Sequence, residues 1–314
     1  VNRALTGRGP VTVIAPLAVV AVVIFALTTE GFATSGNFKS IAFSTAFVGT
    51  IAIGQTVIML SGNYFSLSLG TTAAVSAIVF LSAVHFGTVA AIIIALAFGA
   101  AVCGLQGLLV GAWGANPIIV TIGAGVIQSG VVLLITGGGT VRPSSETGLI
   151  QFFAEPIAGI PAAFYVFVVM TIVVELVLRF TRLGAGIHLL GGSREAARAA
   201  GLPVTWIVVG AFGIAGICAA AASIVLGSFQ GSATLSLEGT LTYDSIAAAL
   251  VGGSAVLGGR GSALRTFIGT IGITTLSSAL LLRGYATGVQ IVVKGVIVLG
   301  AVLLVHVSSR RSSR

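Results

Sequence analysis

The stretch 193–203, SREAARAAGLP, is the one polar island between two hydrocarbon-like runs. FYVFVVMTIVVELVL (164–178) precedes it and VTWIVVGAFGIAGICAAAASIVL (204–226) follows it. A helix needs about 20 apolar residues to cross a bilayer. Taken with their neighbours as 162–180 and 204–227, both flanks meet that length, so the island is a loop between two membrane spans. The whole chain repeats the pattern. Of its 314 residues, 56% are hydrophobic and only 7% are charged, against roughly 25% charged in a soluble domain. These numbers exclude a soluble globular protein and predict an all-α, polytopic membrane protein formed as one domain over 1–314. The 44 glycines have no collagen period and suit close helix packing in lipid.

Ten spans are expected: 11–29, 41–60, 67–84, 88–112, 117–136, 162–180, 204–227, 243–258, 263–282 and 288–307. The first follows Arg3 and Arg8 and reads as a retained helix rather than a cleaved signal. The eighth, DSIAAALVGGSAVLGG, is short and glycine-rich, and is expected to be broken or re-entrant. With both termini cytoplasmic, Arg3, Arg8, Arg179, Arg182, Arg194, Arg198, Arg260, Arg265, Arg310, Arg311 and Arg314 lie inside. Lys39, Arg142 and Arg283 lie outside. That asymmetry follows the positive-inside rule. It explains the net charge of +8 without nucleic acid as a partner. Glu146 and Glu155 fall in the external loop 137–161. The spacing Gly99 to Gly114 recurs from Gly269 to Gly284, a weak echo that allows a five-plus-five inverted repeat.

Within the cytoplasmic loop 181–203 a short helix is expected. Gly191 and Gly192 break the preceding structure, Ser193 caps, and Glu195 suits the first turn and Arg198 the last. Ala196, Ala197, Ala199 and Ala200 favour helix, Gly201 stops it, and Pro203 prevents continuation. Two turns are not stable alone, and the alanine face suits a groove in another protein better than a lipid surface.

GGSREAARAAGLPV (191–204) resembles the coupling segment of permeases in bacterial ABC importers of the ribose and simple-sugar type, a branched-chain amino acid-like permease family. The family pattern G-G-x-x-E-A-A-R-x-x-G is matched by Gly191, Gly192, Glu195, Ala196, Ala197, Arg198 and Gly201. Four further stretches are similar to family segments in the same order: GQTVIMLSGNYFSLSLG (54–70), GLLVGAWGANPIIVTIG (107–123), DSIAAALVGGSAVLGGRGS (244–262) and QIVVKGVIVLGAVLL (290–304). The resemblance implies a transport subunit rather than an enzyme, with no cofactor, located in the bacterial inner membrane. It implies a cytoplasmic ABC ATPase, an extracytoplasmic solute-binding protein and a second permease copy as partners, besides membrane lipid. The island would then sit in a cleft of the ATPase. In keeping with that, no phosphate-binding loop with its Lys-Ser/Thr ending occurs in the chain.

Polar residues inside spans are costly and often functional. Gln55, Asn63, Tyr64, Ser66 and Ser68 cluster where spans two and three meet, and Thr121 and Gln128 share one face of span five. All are candidates for the solute pathway; each can instead bond helix to helix. Where the family carries an aspartate before L-S-V-G, this chain has Phe65-Ser66 and one extra residue, which leaves the sugar class open. Asn116 before Pro117 reads as an N-cap. Asp244 reads as a helix cap or a functional carboxylate. Lys294 is expected to face the bundle interior, toward a carbonyl or Gln290. Glu175 and Arg179 can pair at i,i+4. Cys103 and Cys218 read as packing residues, and the three histidines show no metal spacing. Two rival readings remain: an ion-coupled secondary transporter, for which Glu175, Asp244 and Lys294 are the available groups, and an ABC permease for a non-sugar solute. A membrane enzyme is the weakest, since no paired catalytic carboxylates or nucleophile with a base are present.

Overall fold

The computed structural model describes residues 28–143, 156–256 and 258–311, without the side chains of 156, 237–239, 298 and 301–311. The expected first span apart from 28–29, with Arg3 and Arg8, lies outside the described residues. So do Glu146, Glu155 and Arg314, and the side chains of His306, Arg310 and Arg311.

Among the described residues eleven α-helices follow in order: α1 (Ser35–Leu60), α2 (Leu69–Ala83), α3 (Thr88–Trp113), α4 (Pro117–Thr136), α5 (Ala162–Phe180), α6 (Arg182–Gly192), α7 (Arg194–Ala199), α8 (Val204–Gln230), α9 (Glu238–Val251), α10 (Ala263–Leu282) and α11 (Thr287–Arg311). A two-residue antiparallel hairpin, Pro156–Ile157 with Ile160–Pro161, precedes α5. Seven of the described helices are long and apolar enough to cross a membrane, and two shorter apolar helices, Thr240–Val251 and Thr287–Ile297, accompany them. The chain is therefore a helical polytopic membrane protein. Several boundaries move. The second expected span begins at Ser35 and the third at Leu69, because 61–68 is non-helical, and the eighth runs over Glu238–Val251, before an irregular segment over 252–256 and 258–262. The glycine-rich eighth span is indeed short and broken.

The loop expected over 181–203 is mostly helical. Thr181 accepts from the Gly184 amide at 3.1 Å and starts α6. This departs from the reading of a single island helix. RLGAGIHLLGG has a poor intrinsic helix propensity, and its helix is held by tertiary contact: Ile187 and Leu190 are buried.

α1 and α8 form the centre. α8 packs on α3, α1 and α2, while α1 also carries α10, α9 and α5. In lipid, apolar surface gives no net drive for helices to associate, so close van der Waals approach matters. The α3–α8 seam shows it. Gly99, Cys103, Gly107 and Gly111 recur every fourth residue and stack on one face. A Cβ on Gly99 would overlap the Gly216 carbonyl, one on Gly216 would overlap the Gly99 carbonyl, and one on Gly111 would come within 3.0 Å of the Thr205 Cα. Cys103 and Cys218 are both fully buried and free, as packing residues. The α1–α10 contact is made partly of threonines, Thr45 to Thr274 and Thr56 to Thr266, each pair 2.6 Å apart.

The outward faces are apolar. Leu134 and Ile135 on α4 are 88% and 79% exposed, and Trp113 and Trp206 project from the helix ends nearest the island. Such surface would aggregate in water and is what a bilayer solvates.

Candidate functional site: the charged island and its glycine seat

The island folds as its sequence dictates. Ser193 caps α7, accepting from the Ala196 amide at 3.2 Å. At the other end Gly201 takes a left-handed φ of +72°. Its amide donates to the Arg198 carbonyl and the Leu202 amide donates to the Ala197 carbonyl, a complete Schellman stop. Of the helix itself only Ala197 is buried. Glu195, Ala196 and Arg198 are exposed. Arg194 points the other way and donates to the Val110 carbonyl at the end of α3, at 3.3 Å. Burial, then the positive charge of Arg198, lowers the Arg194 pKa from its ordinary value.

Gly191 and Gly192 do more than end α6. At Gly191 a Cβ would collide with the Leu60 carbonyl, and it would stand 2.5 Å from the Gly259 amide nitrogen. The Gly259 amide donates to the same Leu60 carbonyl at 3.1 Å. Gly62 and Gly258 also meet: a Cβ on Gly258 would lie 2.6 Å from the Gly62 Cα. Three segments thus touch backbone to backbone: the end of α1, the end of α6 that leads into the island, and the irregular segment 252–262. The left-handed φ values of Gly62, Gly258 and Gly259, +76°, +97° and +72°, are open to glycine at low cost. The sequence marks Gly191 and Gly192 as local breakers and carries no signal for these partners, which lie about 70 and 130 residues away.

The polar residues expected along the pathway gather above this seat. Gln55, fully buried, spans the 61–68 break: it accepts from the Ser66 amide at 2.9 Å and donates to the Ser66 carbonyl. Ser66 and Ser68 are 3.1 Å apart, and Ser68 donates to Gln106 on α3 at 2.8 Å. Thr121 accepts from the Leu67 amide at 3.2 Å. Asn63 is buried and donates to Ser61. Tyr64 is 40% exposed, with a left-handed φ of +56° that is uncommon for a bulky residue. Gln128 lies two turns along the same face of α4 from Thr121 and donates to the Ala124 carbonyl, while its Oε1 has no partner among the described residues. Gln106, absent from the expected set, joins this cluster, and its Nε2 is also without a partner there.

Three further expectations resolve. Asn116 caps α4, accepting from the Ile118 amide at 2.9 Å. Glu175 pairs with Arg179 at 2.6 Å and also accepts from the Ala263 amide at 2.8 Å, so it ties α5 to the start of α10. Asp244 is not a cap. It sits inside α9 and receives both contacts of Lys294, at 2.8 and 3.0 Å, on α11. Lys294 does face the bundle interior, but its partner is this carboxylate, not a carbonyl or Gln290. Gln290 instead donates to the Tyr285 carbonyl.

A polytopic helical bundle that presents a short charged helix at one end and buries polar residues behind it has the parts that a membrane transport component needs. Residues 37–306 match the model of the branched-chain amino acid transport system / permease component family, and the chain belongs to that family. It is 31% identical over 302 residues to the D-allose transport system permease protein AlsC of Escherichia coli K12, covering 94% of this chain and 90% of that one. It is 31% identical over 286 residues to the ribose import permease protein RbsC of Bacillus subtilis 168, covering 90% and 88%. It is 28% identical over 285 residues to the autoinducer 2 import system permease protein LsrD of an Enterobacter species, covering 86% of each. The protein is a multi-pass permease of the bacterial inner membrane.

Proposed function

We propose that the chain is the transmembrane subunit of an ATP-driven importer of a monosaccharide or a similar small polar solute. The observation that carries this is the island: a capped two-turn helix, preceded by a backbone contact of Gly191 with the end of α1 and with Gly259, that leaves Glu195, Ala196 and Arg198 exposed. Such a helix has no stability of its own and suits a cleft in a partner. The partner is a cytoplasmic ABC ATPase subunit, which places the 181–203 end inside and both termini in the cytoplasm. An extracytoplasmic solute-binding protein delivers solute at the opposite end, and a second permease copy completes the pathway. Gly191, Gly192, Ser193, Glu195, Ala196, Ala197, Arg198 and Gly201 form the coupling element. Gln55, Asn63, Tyr64, Ser66, Ser68, Thr121 and Gln128 form the inner part of the solute path, with the Gln55–Ser66 bond holding the 61–68 break as its gate. The five-plus-five inverted repeat belongs to the same proposal, supported by Gly99 and Gly269 each meeting a neighbouring helix backbone. The sugar class is supported by the names of the relatives above.

The test is copurification. The tagged chain, solubilised with the proteins expressed beside it, is expected to elute with ATP-hydrolysing activity, and the double variant Glu195→Ala/Arg198→Ala to elute without it. An eluate free of ATPase activity from a chain that still transports would sink the proposal. That result would favour the ion-coupled reading, for which the buried Asp244–Lys294 pair is the available machinery.

A further inference from the structure

At the end of the bundle away from the island, a cavity of about 480 Å³ opens between the first half of α1, α9, the last turns of α10 and the start of α11. Its volume falls within the range of about 300–1,000 Å³ that small-molecule sites occupy. Resting on the importer reading above, we infer that this cavity is a binding site for an uncharged, polyhydroxylated solute, entered from the side opposite the coupling helix.

The lining carries the chemistry. Asn37, Ser40, Ser44, Thr240, Ser277 and Ser278 present amide and hydroxyl groups. Ser40 and Ser44 are one helical turn apart on one face of α1. With Thr240, they make no side-chain hydrogen bond among the described residues, whereas Ser278 is engaged with Asn37 at 2.6 Å. Hydroxyls both donate and accept, so an array with free members suits a ligand that is itself hydroxyl on every carbon. Phe47 and Leu241 form an apolar wall on the same cavity, the surface that the C–H face of a sugar ring needs.

The Asp244–Lys294 pair decides the charge. Both side chains are largely buried, at 16% and 12% exposed, and both line the cavity. Each neutralises the other, so an ionic ligand would have to break a bidentate contact of 2.8 and 3.0 Å in a membrane interior. A zwitterionic amino acid meets the same obstacle, and its aliphatic side chain would bury hydroxyls unsatisfied. A neutral polyol breaks nothing. A carboxylate has about four acceptor positions and an ammonium three donors; the mutual contact leaves some of each for ligand hydroxyls.

The experiment uses the purified full chain carrying Ser44→Cys. Both native cysteines are fully buried, which gives a low labelling background. The introduced thiol is expected to react with a soluble maleimide, and D-allose or D-ribose is expected to slow that reaction. The slowing equals 1 + [sugar]/Kd, so about threefold at twice the dissociation constant. Sodium chloride and L-leucine are expected to have no effect, and the double variant Asp244→Asn/Lys294→Met, which leaves no unpaired charge, to remove the sugar effect while labelling persists. Where Ser44→Cys does not purify, Ser40→Cys, one turn toward the mouth, carries the same test. An unreactive thiol, or a reactive one that no sugar protects, overturns the site. Protection by leucine and not by sugar overturns the ligand class. The importer reading is judged apart from this by copurification: an ATPase-bound chain with an unprotected thiol loses the cavity site alone, and a sugar-protected thiol on a chain without ATPase keeps the site and loses the importer.

Discussion

The two ends of α1 are built in opposite ways. At Leu60–Gly62 the helix meets α6 and the 252–262 segment through glycine backbones, with no side chain between them. At 34–48 it meets α9, α10 and α11 across a hydroxyl-lined space. The difference is mechanical. A contact made of backbone alone has no rotamers to rearrange, so a displacement of the island must move the end of α1 and the 252–262 segment with it. A wall made of serines, threonines and one ion pair can change partners at small cost. One helix therefore joins a rigid handle to an adaptable cavity.

The comparison can be broken first at the ion pair, where the largest effect is expected. Lys294→Met leaves the Asp244 carboxylate buried without its partner, a loss of about 3–5 kcal/mol for a buried pair. Thermal aggregation of the detergent-solubilised chain should show a marked drop for this variant. The double variant Asp244→Asn/Lys294→Met should recover most of it, because no uncompensated charge remains. Equal losses for the single and double variants would mean that the pair does not hold α9 to α11.

Next comes the glycine seat. A methyl at Gly191 collides with the Leu60 carbonyl and the Gly259 amide, neither of which is a flexible side-chain end. Gly191→Ala is expected to cost about 3 kcal/mol, the upper part of the usual overpacking range. Gly192→Ala, one residue on, meets nothing within 4 Å and should be close to neutral by the same melting assay. A tolerated Gly191→Ala would show that the backbone contact is looser than described.

How much of this was legible follows the range of each signal. The spans were readable because hydropathy is a sum over about twenty neighbours, and the caps at Ser193 and Asn116 because a cap and its amide lie within three residues. The Glu175–Arg179 pair was readable for the same reason. The helix α6 was not, since its glycine-rich sequence argues against helix and burial of Ile187 and Leu190 overrides it. The partner of Asp244 lies 50 residues away and nothing local names it. The Gly99, Cys103, Gly107, Gly111 series was present in plain sight at four-residue spacing, but only the α8 backbone gives it a meaning. Gln55, Asn63, Tyr64, Ser66 and Ser68 stand close together in the sequence, while the bonds among them, Gln55 to Ser66 above all, required the fold.

Between the two ends stands the Gln55 bond. Gln55→Leu preserves volume but strands the Ser66 amide and carbonyl in a buried site, at about 2 kcal/mol for the unsatisfied groups. The expected sign is destabilisation with a leak: the 61–68 break should become more susceptible to protease in the variant than in the parent chain. An unchanged digestion pattern would show that Ser68–Gln106 and Leu67–Thr121 hold the break without it.

The smallest effect is expected at Ser193, and it separates the handle from the seat. Ser193→Ala removes a cap worth about 1 kcal/mol from a helix with few other supports. The Gly191 contact is made by backbone and is left in place, so the melting temperature of the chain should scarcely move. The island itself should fray, and, on the proposed coupling role, binding to an ATPase partner should weaken by about fivefold, which is that 1 kcal/mol read as an affinity. Ser193→Asp, which restores an acceptor at the same position, should restore binding. If Ser193→Ala lowers the melting temperature as much as Gly191→Ala does, handle and seat are one cooperative unit and the division drawn between them fails.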